Sequence, residues 1–360
     1  MSREFVEGAE ALSRAAIDAG CRFFAGYPMT PFTEVLDHMA ERMPAAGGVC
    51  INAESELEAV GMVWGALSTG ARAATGSVGQ GLSLMQESFS EITRAELPLV
   101  VFNMARGQSD YFQSTRGGGH GDYYHIVLCP IDIHEAIEHV YLAFDLADRW
   151  RNPVQIYGDY LLGHTWESVD LSPRNIPMPE KEWALDGSLN GTGRARNINS
   201  IGMTKGAKGI DPESFWNRLQ DKFRTIQSAE PRIETEFTDD ALYTIAAWGT
   251  AAKFVRFVVR EMRKEGYKIG YIRPITLWPF PTEAFKAAAR GAREIGVFEL
   301  NGGQMIEDVR LSLLGDAPAV SIGGISSDSS GFGVGPLLNT ARIREIIERN
   351  YTRVAADRAA

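Results

Sequence analysis

The chain has 360 residues, of which 44% are hydrophobic and 23% charged, and its formal net charge is −10. This is an ordinary globular composition, and the length predicts two domains rather than one. The acidic balance argues against nucleic acid as a partner and against a polybasic membrane anchor, and no apolar run is long enough to span a membrane.

The three cysteines, Cys21, Cys50 and Cys129, lie far apart in the sequence. Because no Cys-x-x-Cys pair occurs, a disulfide framework, a zinc finger and a self-contained iron–sulfur cluster are excluded. No spacing of His, Asp and Glu is typical of a metal site, so we predict no metal ligands. The simplest compartment for such a chain is the cytoplasm.

The first 165 residues alternate between helical and strand-like patterns, which predicts an α/β fold with a doubly wound parallel sheet. Helices are predicted over 4–20, 31–43, 55–68, 79–93 and 133–148. Strands are predicted over 21–26, 48–52, 71–77, 97–104, 125–129 and 153–157. The continuous apolar run over 97–104 is typical of a strand buried on both faces.

Residues 166–235 break this alternation because Pro, Gly, Asn and Lys are frequent there. They predict an extended connector that carries one polar helix near 211–226. A second α/β unit is predicted over 236–360. Its strands are expected over 241–248, 267–272, 294–299 and 317–322, and its helices over 251–266, 281–291, 304–314 and 340–350.

The segment Gly26–Pro31 (GYPMTP) follows a predicted strand, and its two prolines stiffen the loop. Open parallel sheets bind ligands at this end of their strands. The hydroxyl of Thr30 could bind a carboxylate, or it could cap the helix that follows. On the residues alone, the cap is the more common role.

Three acidic residues, Glu54, Glu56 and Glu58, begin the helix predicted over 55–68. The helix dipole stabilises carboxylates in a first turn, which gives them a purely structural explanation. A functional role requires one of them to point inward at a basic ring nitrogen. Glu56 is the candidate, because the Ala- and Gly-rich helix after it lets a cofactor approach the backbone.

The small residues of Gly76–Gly81 join a predicted strand to a helix, but they match neither a P-loop nor a dinucleotide fingerprint. Close contact with a ligand or with a partner chain explains them equally well.

Residues 103–124 (NMARGQSDYFQSTRGGGHGDYY) follow the most apolar strand and are rich in polar and aromatic side chains. Such a segment is typical of an active site. Arg106 comes first after the strand and suits a planar carboxylate. His120 could act as a base, although a loop histidine is more often a structural hydrogen-bonding group.

The chain resembles, over nearly its whole length, the α-type subunit of the 2-oxoacid:ferredoxin (acceptor) oxidoreductases. The nearest branch acts on branched-chain 2-oxoacids of the 2-oxoisovalerate type. Six segments in the same order carry the resemblance: GYPMTP, AESELEAVGM, GQGLSLMQES, QSDYFQ, GGGHGD and IRPITLWPFP.

The resemblance implies a thiamine-diphosphate enzyme, with a pyrimidine-binding domain over 1–165 and a transketolase C-terminal-like α/β domain over 236–360. Its reaction oxidatively decarboxylates a 2-oxoacid to an acyl-CoA, with coenzyme A as co-substrate. The expected partners are a β-type subunit that binds the diphosphate and Mg²⁺, a γ-type subunit, and a ferredoxin-like subunit with iron–sulfur clusters. The isolated chain is expected to be inactive, since it holds half of a cofactor site.

Residue by residue, the resemblance assigns Glu56 to the glutamate that hydrogen-bonds the aminopyrimidine ring nitrogen and favours its imino tautomer. Thr30 and Arg106 correspond to the groups that hold the substrate carboxylate. The expected cofactor-binding residues are Tyr27, Pro28, Glu56, Gly79 and Gln86. The expected substrate-pocket residues are Thr30, Arg106, Tyr111, Phe112 and His120.

The chain departs from the family where Arg106-Gly107 runs directly into Gln108 without the usual longer loop. A shortened loop predicts either room for a bulky substrate such as phenylglyoxylate or a gap that another subunit fills. Such a substrate would be flanked by Tyr111, Phe112, Tyr123 or Tyr124. The stretch 326–333 (SSDSSGFG) also departs from the family pattern and predicts a changed interface.

Three alternatives stay open: a non-redox thiamine-diphosphate decarboxylase or carboligase, a 2-oxoglutarate- or pyruvate-specific member, and a non-enzymatic assembly subunit that kept the fold. The sequence does not choose between ferredoxin and NAD as the terminal acceptor.

Overall fold

The computed structural model describes residues 3–174, 176–185, 212–325 and 338–356. The first part of the chain contains β1 (Arg3–Glu7), α1 (Gly8–Asp18), β2 (Phe23–Gly26), α2 (Thr33–Arg42), β3 (Val49–Asn52), α3 (Glu56–Ser68), β4 (Ala73–Ser77), α4 (Gly79–Arg94), β5 (Val100–Ala105), α5 (Tyr111–Arg116), β6 (Ile126–Leu128), α6 (Ile133–Trp150), β7 (Val154–Asp159), α7 (Tyr160–His164) and β8 (Trp166–Asp170). The second part contains α8 (Pro212–Ala229), β9 (Ile233–Glu236), β10 (Tyr243–Ala247), α9 (Gly249–Lys264), β11 (Ile269–Pro274), β12 (Thr276–Trp278), α10 (Thr282–Ala289), β13 (Glu294–Phe298), α11 (Met305–Leu313), β14 (Ala319–Ser321) and α12 (Thr340–Ala356).

The larger sheet has the strand order β12-β6-β7-β5-β4-β2-β3, and only its edge strand β12 runs antiparallel to its neighbour. Every residue of β4, β5 and β7 is buried, as expected for central strands of a parallel sheet with helices on both faces. The carboxyl ends of β2, β4 and β5 therefore lie side by side at one edge, where the predicted site residues follow them.

The second sheet has the order β14-β13-β10-β11-β9, with β9 antiparallel to β11. Between the two halves, β12 leaves the second half of the chain and pairs with β6 of the larger sheet, and Cys129 N donates to Ile275 O at 2.9 Å. The two units are therefore joined by backbone pairing. The division at 165 and 236 stays a prediction.

The predicted helix over 4–20 is wrong in its first turn. Residues Arg3–Glu7 form β1, which pairs antiparallel with β8, and helix α1 begins at Gly8. A five-residue strand without clear alternation cannot be distinguished from a helix start by sequence. The strand forms because its partner, placed in the predicted connector, returns to it from about 160 residues further along.

The described connector residues 176–185 lie on the first unit, where Arg72 anchors them. The Arg72 guanidinium donates to Ile176 O at 3.2 Å and Pro177 O at 2.9 Å, and it pairs with the buried Asp148 at 2.8 Å. Lys181 reaches the same carboxylate at 2.6 Å. Residues 186–211 and the stretch 326–333 lie outside the described residues. Within the described ranges, no helix is long and apolar enough to cross a membrane.

Candidate active site

The three acidic residues at the start of α3 differ in their surroundings. Ser55 is the N-cap, and its hydroxyl accepts from Glu58 N at 3.3 Å, while the Glu58 carboxylate accepts from Glu54 N at 3.0 Å. Glu54 and Glu58 are exposed. These two residues have the structural explanation, since they complete the first turn of the helix.

Glu56 points the other way and is only 4% exposed. The Ser77 hydroxyl at the end of β4 donates to Glu56 Oε1 at 3.2 Å. Glu56 forms no ion pair within the described ranges. A buried carboxylate without a nearby cation is costly unless further donors satisfy it. This carboxylate therefore suits a ligand that brings its own N–H group.

Gly81, in the first turn of α4, makes room for this arrangement. A Cβ atom at Gly81 would lie 2.1 Å from Ser77 Oγ and 2.3 Å from Glu56 Oε1. The sequence pattern did not identify Ser77 or Gly81 as neighbours of Glu56. The available signal was that both follow the strand beside β2, at the same sheet edge.

Thr30 and Arg106 come together after β2 and β5. Arg106 Nε donates to the Thr30 carbonyl at 3.2 Å. Thr30 is exposed and does not cap α2, because the N-cap position is Phe32 and no side chain bonds to it there. The helix-cap interpretation of Thr30 is therefore wrong, because its hydroxyl forms no cap bond to α2.

The other predicted cofactor-binding residues have mixed surroundings. Tyr27 and Pro28 are exposed in the Thr30 loop. A Cβ atom built at Gly79 would lie 2.5 Å from the Asp110 carboxylate, so this carboxylate packs directly on the glycine. Gln86 Oε1 accepts from Tyr123 Oη at 2.9 Å, so its amide is used inside the protein. The cofactor contacts of all four residues stay predictions.

The pKa of Asp110 is raised by burial, and the nearby positive charge of Arg106 opposes that rise. The Asp110 carboxyl thus interacts electrostatically with the predicted carboxylate-binding guanidinium.

Tyr111 is packed inside the protein, between α5 and the second unit. It is fully buried, its ring packs against Trp248 with centroids 5.5 Å apart, and its hydroxyl donates to Asp308 Oδ2 at 2.7 Å. Phe112 is half-buried with the Arg116 guanidinium 4.1 Å above its ring. In this structure α5 packs against the second unit, and the pocket role of Tyr111 stays a prediction.

Tyr123 and Tyr124 are also held by internal packing. The Tyr123 hydroxyl accepts from Gly118 N and Gly119 N at 3.0 and 2.9 Å, and the Tyr124 ring stacks on Trp278 at 4.7 Å. With Tyr111, three of the four aromatic residues expected to flank an aryl substrate therefore have other partners.

His120 lies against α4 rather than at the Arg106 site. Its backbone N donates to Glu87 at 3.0 Å, and its ring contacts Glu87 and the buried Arg94. Glu87, Glu91 and His120 place ligand-type atoms within 4.8 Å of one another. Because the Arg94 guanidinium already pairs with Glu91, a cation stands in this cluster. The network fits the structural role of a loop histidine.

A structural superposition first identifies the broad fold class of this chain. A split-gene transketolase structure superposes with a TM-score of 0.59, covering 97% of this chain and 99% of that chain at 13% identity. This likeness shows a transketolase-like α/β fold.

The chain belongs to the pyruvate flavodoxin/ferredoxin oxidoreductase family. Residues 14–234 match its thiamine-diphosphate-binding region, and residues 241–328 match core domain II of pyruvate:ferredoxin oxidoreductase. The family and fold class predicted from the sequence are confirmed.

Two kinds of relative are almost equally similar. Ketoisovalerate oxidoreductase subunit VorB of Methanothermobacter marburgensis is 36% identical over 87% of this chain and 90% of its own length. The 2-oxoglutarate synthase subunit KorA of Methanothermobacter thermautotrophicus is 35% identical over 85% and 90%. The chain is thus a subunit of a thiamine-diphosphate-dependent 2-oxoacid:ferredoxin oxidoreductase, as predicted.

A solved 2-oxoglutarate:ferredoxin oxidoreductase from Magnetococcus marinus carries 2-oxoglutarate, coenzyme A and succinyl-CoA. It superposes with a TM-score of 0.83 at 25% identity over 97% of this chain. This chain spans 65% of that chain's length.

Proposed function

We propose that this chain supplies the pyrimidine side of a shared thiamine-diphosphate site and the carboxylate-binding groups for a branched-chain 2-oxoacid. The observation that carries the proposal is the inward, cation-free Glu56 carboxylate. When bound, thiamine diphosphate supplies the nucleophilic carbon and the electron sink that decarboxylation of a 2-oxoacid requires.

Glu56 would hold the cofactor by one carboxylate oxygen. The Ser77 hydroxyl is bonded to Oε1, which leaves Oε2 to interact with the pyrimidine ring nitrogen. A carboxylate fixed there retains or releases a proton at that nitrogen, and this shifts the proton available at the neighbouring amino group. Burial strengthens the interaction, because little water competes for the carboxylate.

Arg106 and Thr30 would bind the carboxylate of the substrate. The Nε–H of Arg106 is already bonded to the Thr30 carbonyl, so the guanidinium is oriented while its two terminal nitrogens remain for a planar carboxylate. The Thr30 hydroxyl adds a donor from the same loop.

The substrate side chain is proposed to be aliphatic and branched. The buried Tyr111, Tyr123 and stacked Tyr124 leave little support for an aryl substrate. We therefore favour 2-oxoisovalerate over phenylglyoxylate, and 2-oxoglutarate stays an alternative that the substrate panel tests.

The outer surfaces of α3 and α4 would bind the β-type subunit. Leu57, Met62 and Leu84 are 54%, 40% and 53% exposed, and Gly61 and Gly65 have open space where a Cβ would be. Exposed apolar side chains beside bare helix backbone are typical of an interface. This surface begins one residue from Glu56, as half of a shared cofactor site requires.

The β-type subunit is proposed to hold the diphosphate and Mg²⁺, with a γ-type subunit and a ferredoxin-like cluster subunit completing the complex in the cytoplasm. Coenzyme A would take the acyl group, as the ligands of the Magnetococcus marinus structure suggest. The three cysteines of this chain are scattered through the sequence, so the clusters would lie on partners.

The test is to purify the complex on a tag carried by this chain. We expect partner chains with iron–sulfur absorbance, and viologen reduction that depends on coenzyme A and is fastest with 2-oxoisovalerate. The panel includes 2-oxoglutarate, pyruvate, phenylglyoxylate and indolepyruvate, with NAD as a second acceptor. A cluster-free complex that decarboxylates without reducing an acceptor would contradict the redox role.

A further inference from the structure

Gln108 of the first unit is buried inside the second unit. Its side-chain amide donates to Trp248 O at 2.8 Å, and its side-chain oxygen accepts from Leu300 N at 2.7 Å. Its backbone carbonyl accepts from Asn301 Nδ2 at 2.8 Å. The residue is only 3% exposed. All three bonds cross between the two units.

The partners of Gln108 lie in two loops that follow neighbouring strands of the second sheet. Trp248 follows β10, and Leu300 and Asn301 follow β13, its neighbour. From β10 the chain passes through α9 to β11 on one side, and later returns to β13 on the other side. Loops at such a reversal of strand order form the crevice in which open α/β sheets bind ligands. Here Gln108 fills that crevice as a ligand from the same chain.

The loops around the Gln108 side chain have fixed conformations. Gly249, directly after Trp248, has φ +59°, a conformation that favours glycine. The Asn301 side chain is held in turn, because its oxygen accepts from Gly303 N at 2.8 Å. Gln108 therefore has a preformed set of donors and acceptors.

Neighbouring bonds hold the same loop. Gln304 donates to Ser109 O at 2.8 Å and accepts from Phe112 N at 2.9 Å. Gln304 sits at the N-terminus of α11, where the buried Glu299 carboxylate accepts from the backbone N–H groups of residues 304, 305 and 306. The second unit thus presents a fixed surface to residues 108–112.

Only Gly107 separates Gln108 from Arg106. The Gly107 carbonyl accepts from Tyr157 Oη at 2.9 Å, and Arg106 Nε donates to Thr30 O at 3.2 Å. Gly107 itself has open space around it, so side-chain packing does not fix it. The position of the guanidinium therefore depends on its own hydrogen bond to Thr30 and on the hydrogen bonds that hold Gln108. The Gln108 hydrogen bonds are the more buried of the two.

We propose that Gln108 is a positioning residue through which the second unit fixes Arg106 for the substrate carboxylate. The inference rests on the proposed carboxylate role of Arg106. It gives the second unit a part in substrate binding although, in this arrangement, Gln108 itself touches no substrate. The proposal also explains the short loop after Arg106, since a longer loop would weaken the coupling between Gln108 and Arg106.

The test is a double-mutant cycle in the tagged complex with 2-oxoisovalerate, coenzyme A and methyl viologen. The variants are Arg106→Gln, Gln108→Met, which keeps the side-chain volume but loses both amide bonds, and the double variant. We expect Gln108→Met to lower kcat/KM about tenfold, mainly through KM, because a displacement of about 1 Å costs up to about 100-fold. The thiamine-diphosphate concentration for half-maximal activity should not change.

The effect should vanish in the Arg106→Gln background, since a residue that acts through another is non-additive with it. Equal loss in both backgrounds, or unchanged KM in Gln108→Met, would overturn the inference. Unchanged kcat/KM in Arg106→Gln would instead refute the proposed role of Arg106, and the inference with it.

Two further variants keep the test decisive. Arg116→Gln weakens a surface ion pair with Glu307 across the same interface and should leave KM unchanged, which separates positioning from general interface loss. If Gln108→Met does not assemble, Asn301→Asp replaces it in the cycle, because it sets an oxygen against the Gln108 carbonyl. A loss of kcat/KM that needs Arg106 supports the inference, and any other result overturns it.

Discussion

The tightest packing around Glu56 lies at Gly81, and this makes Gly81→Ala a sharp perturbation. The added Cβ would stand 2.1 Å from Ser77 Oγ and 2.3 Å from Glu56 Oε1. Carbon and oxygen require more than 3 Å, so the carboxylate oxygen must move by about 1 Å to relieve the contact. The mutation therefore displaces the group that would hold the cofactor, without changing any charge.

The magnitude follows from packing and from geometry. Inserting a methyl group into a filled site costs about 1–3 kcal/mol, and the gain in helix propensity offsets up to about 1 kcal/mol of this. We expect a net loss of about 1–2 kcal/mol in the free energy of unfolding. A misplacement of about 1 Å in a catalytic group lowers activity by about 100-fold.

Urea unfolding of the purified chain measures the first quantity, and viologen reduction by the complex measures the second. Gly61→Ala is the matched control for the unfolding measurement on the isolated chain, because Gly61 is also helical and has nothing within 4 Å of its Cβ position. It should stabilise the isolated chain by up to about 1 kcal/mol. A Gly81→Ala complex with unchanged stability and turnover would refute the packing argument around Glu56.

Other predictions concern the folded chain as a whole. Burial lowers the pKa of His125 to about 4. As the pH falls below 6.5, the unfolded chain therefore binds a proton at His125 while the folded chain does not. The free energy of unfolding should then decrease down to about pH 4, by about 1.4 kcal/mol per unit of pKa difference. Burial lowers the pKa of His139 to about 4 as well, so His125→Phe should remove only part of the slope in urea unfolding at several pH values, and an unchanged slope would contradict the assignment. Arg72→Met leaves the Asp148 carboxylate paired with Lys181, so it should cost less than the loss of about 3–5 kcal/mol that an unpaired buried charge causes, while exposing residues 176–185 to limited proteolysis. Leu84→Asp on the proposed interface should leave unfolding unchanged but prevent co-purification of the β-type subunit, and retained partner would place that interface elsewhere.

Much of the sheet was predictable because central parallel strands are often apolar runs, and β5 is such a strand. Strands whose pairing partners lie far along the chain escaped prediction. β1 and β12 exist only because distant residues pair with them, and local sequence does not encode such partners.

The site residues, like the strands, were predicted only in part. Glu56, Thr30 and Arg106 were predicted from their segments, and the structure buries the first and joins the other two. The surroundings of Tyr111 were not predictable, because an aromatic residue after a buried strand fits a pocket and an interface equally well. Its partners, Trp248 and Asp308, lie well over 100 residues further along the chain.

The central claim is tested most directly by the pair Glu56→Gln and Glu58→Gln in the assembled complex. Both changes remove one charge from the first turn of α3, but Glu56 is buried beside Ser77 and Glu58 is exposed. We predict that Glu56→Gln abolishes 2-oxoacid-dependent viologen reduction while the complex still assembles, and that Glu58→Gln keeps normal turnover. Near-normal turnover in Glu56→Gln would contradict the account.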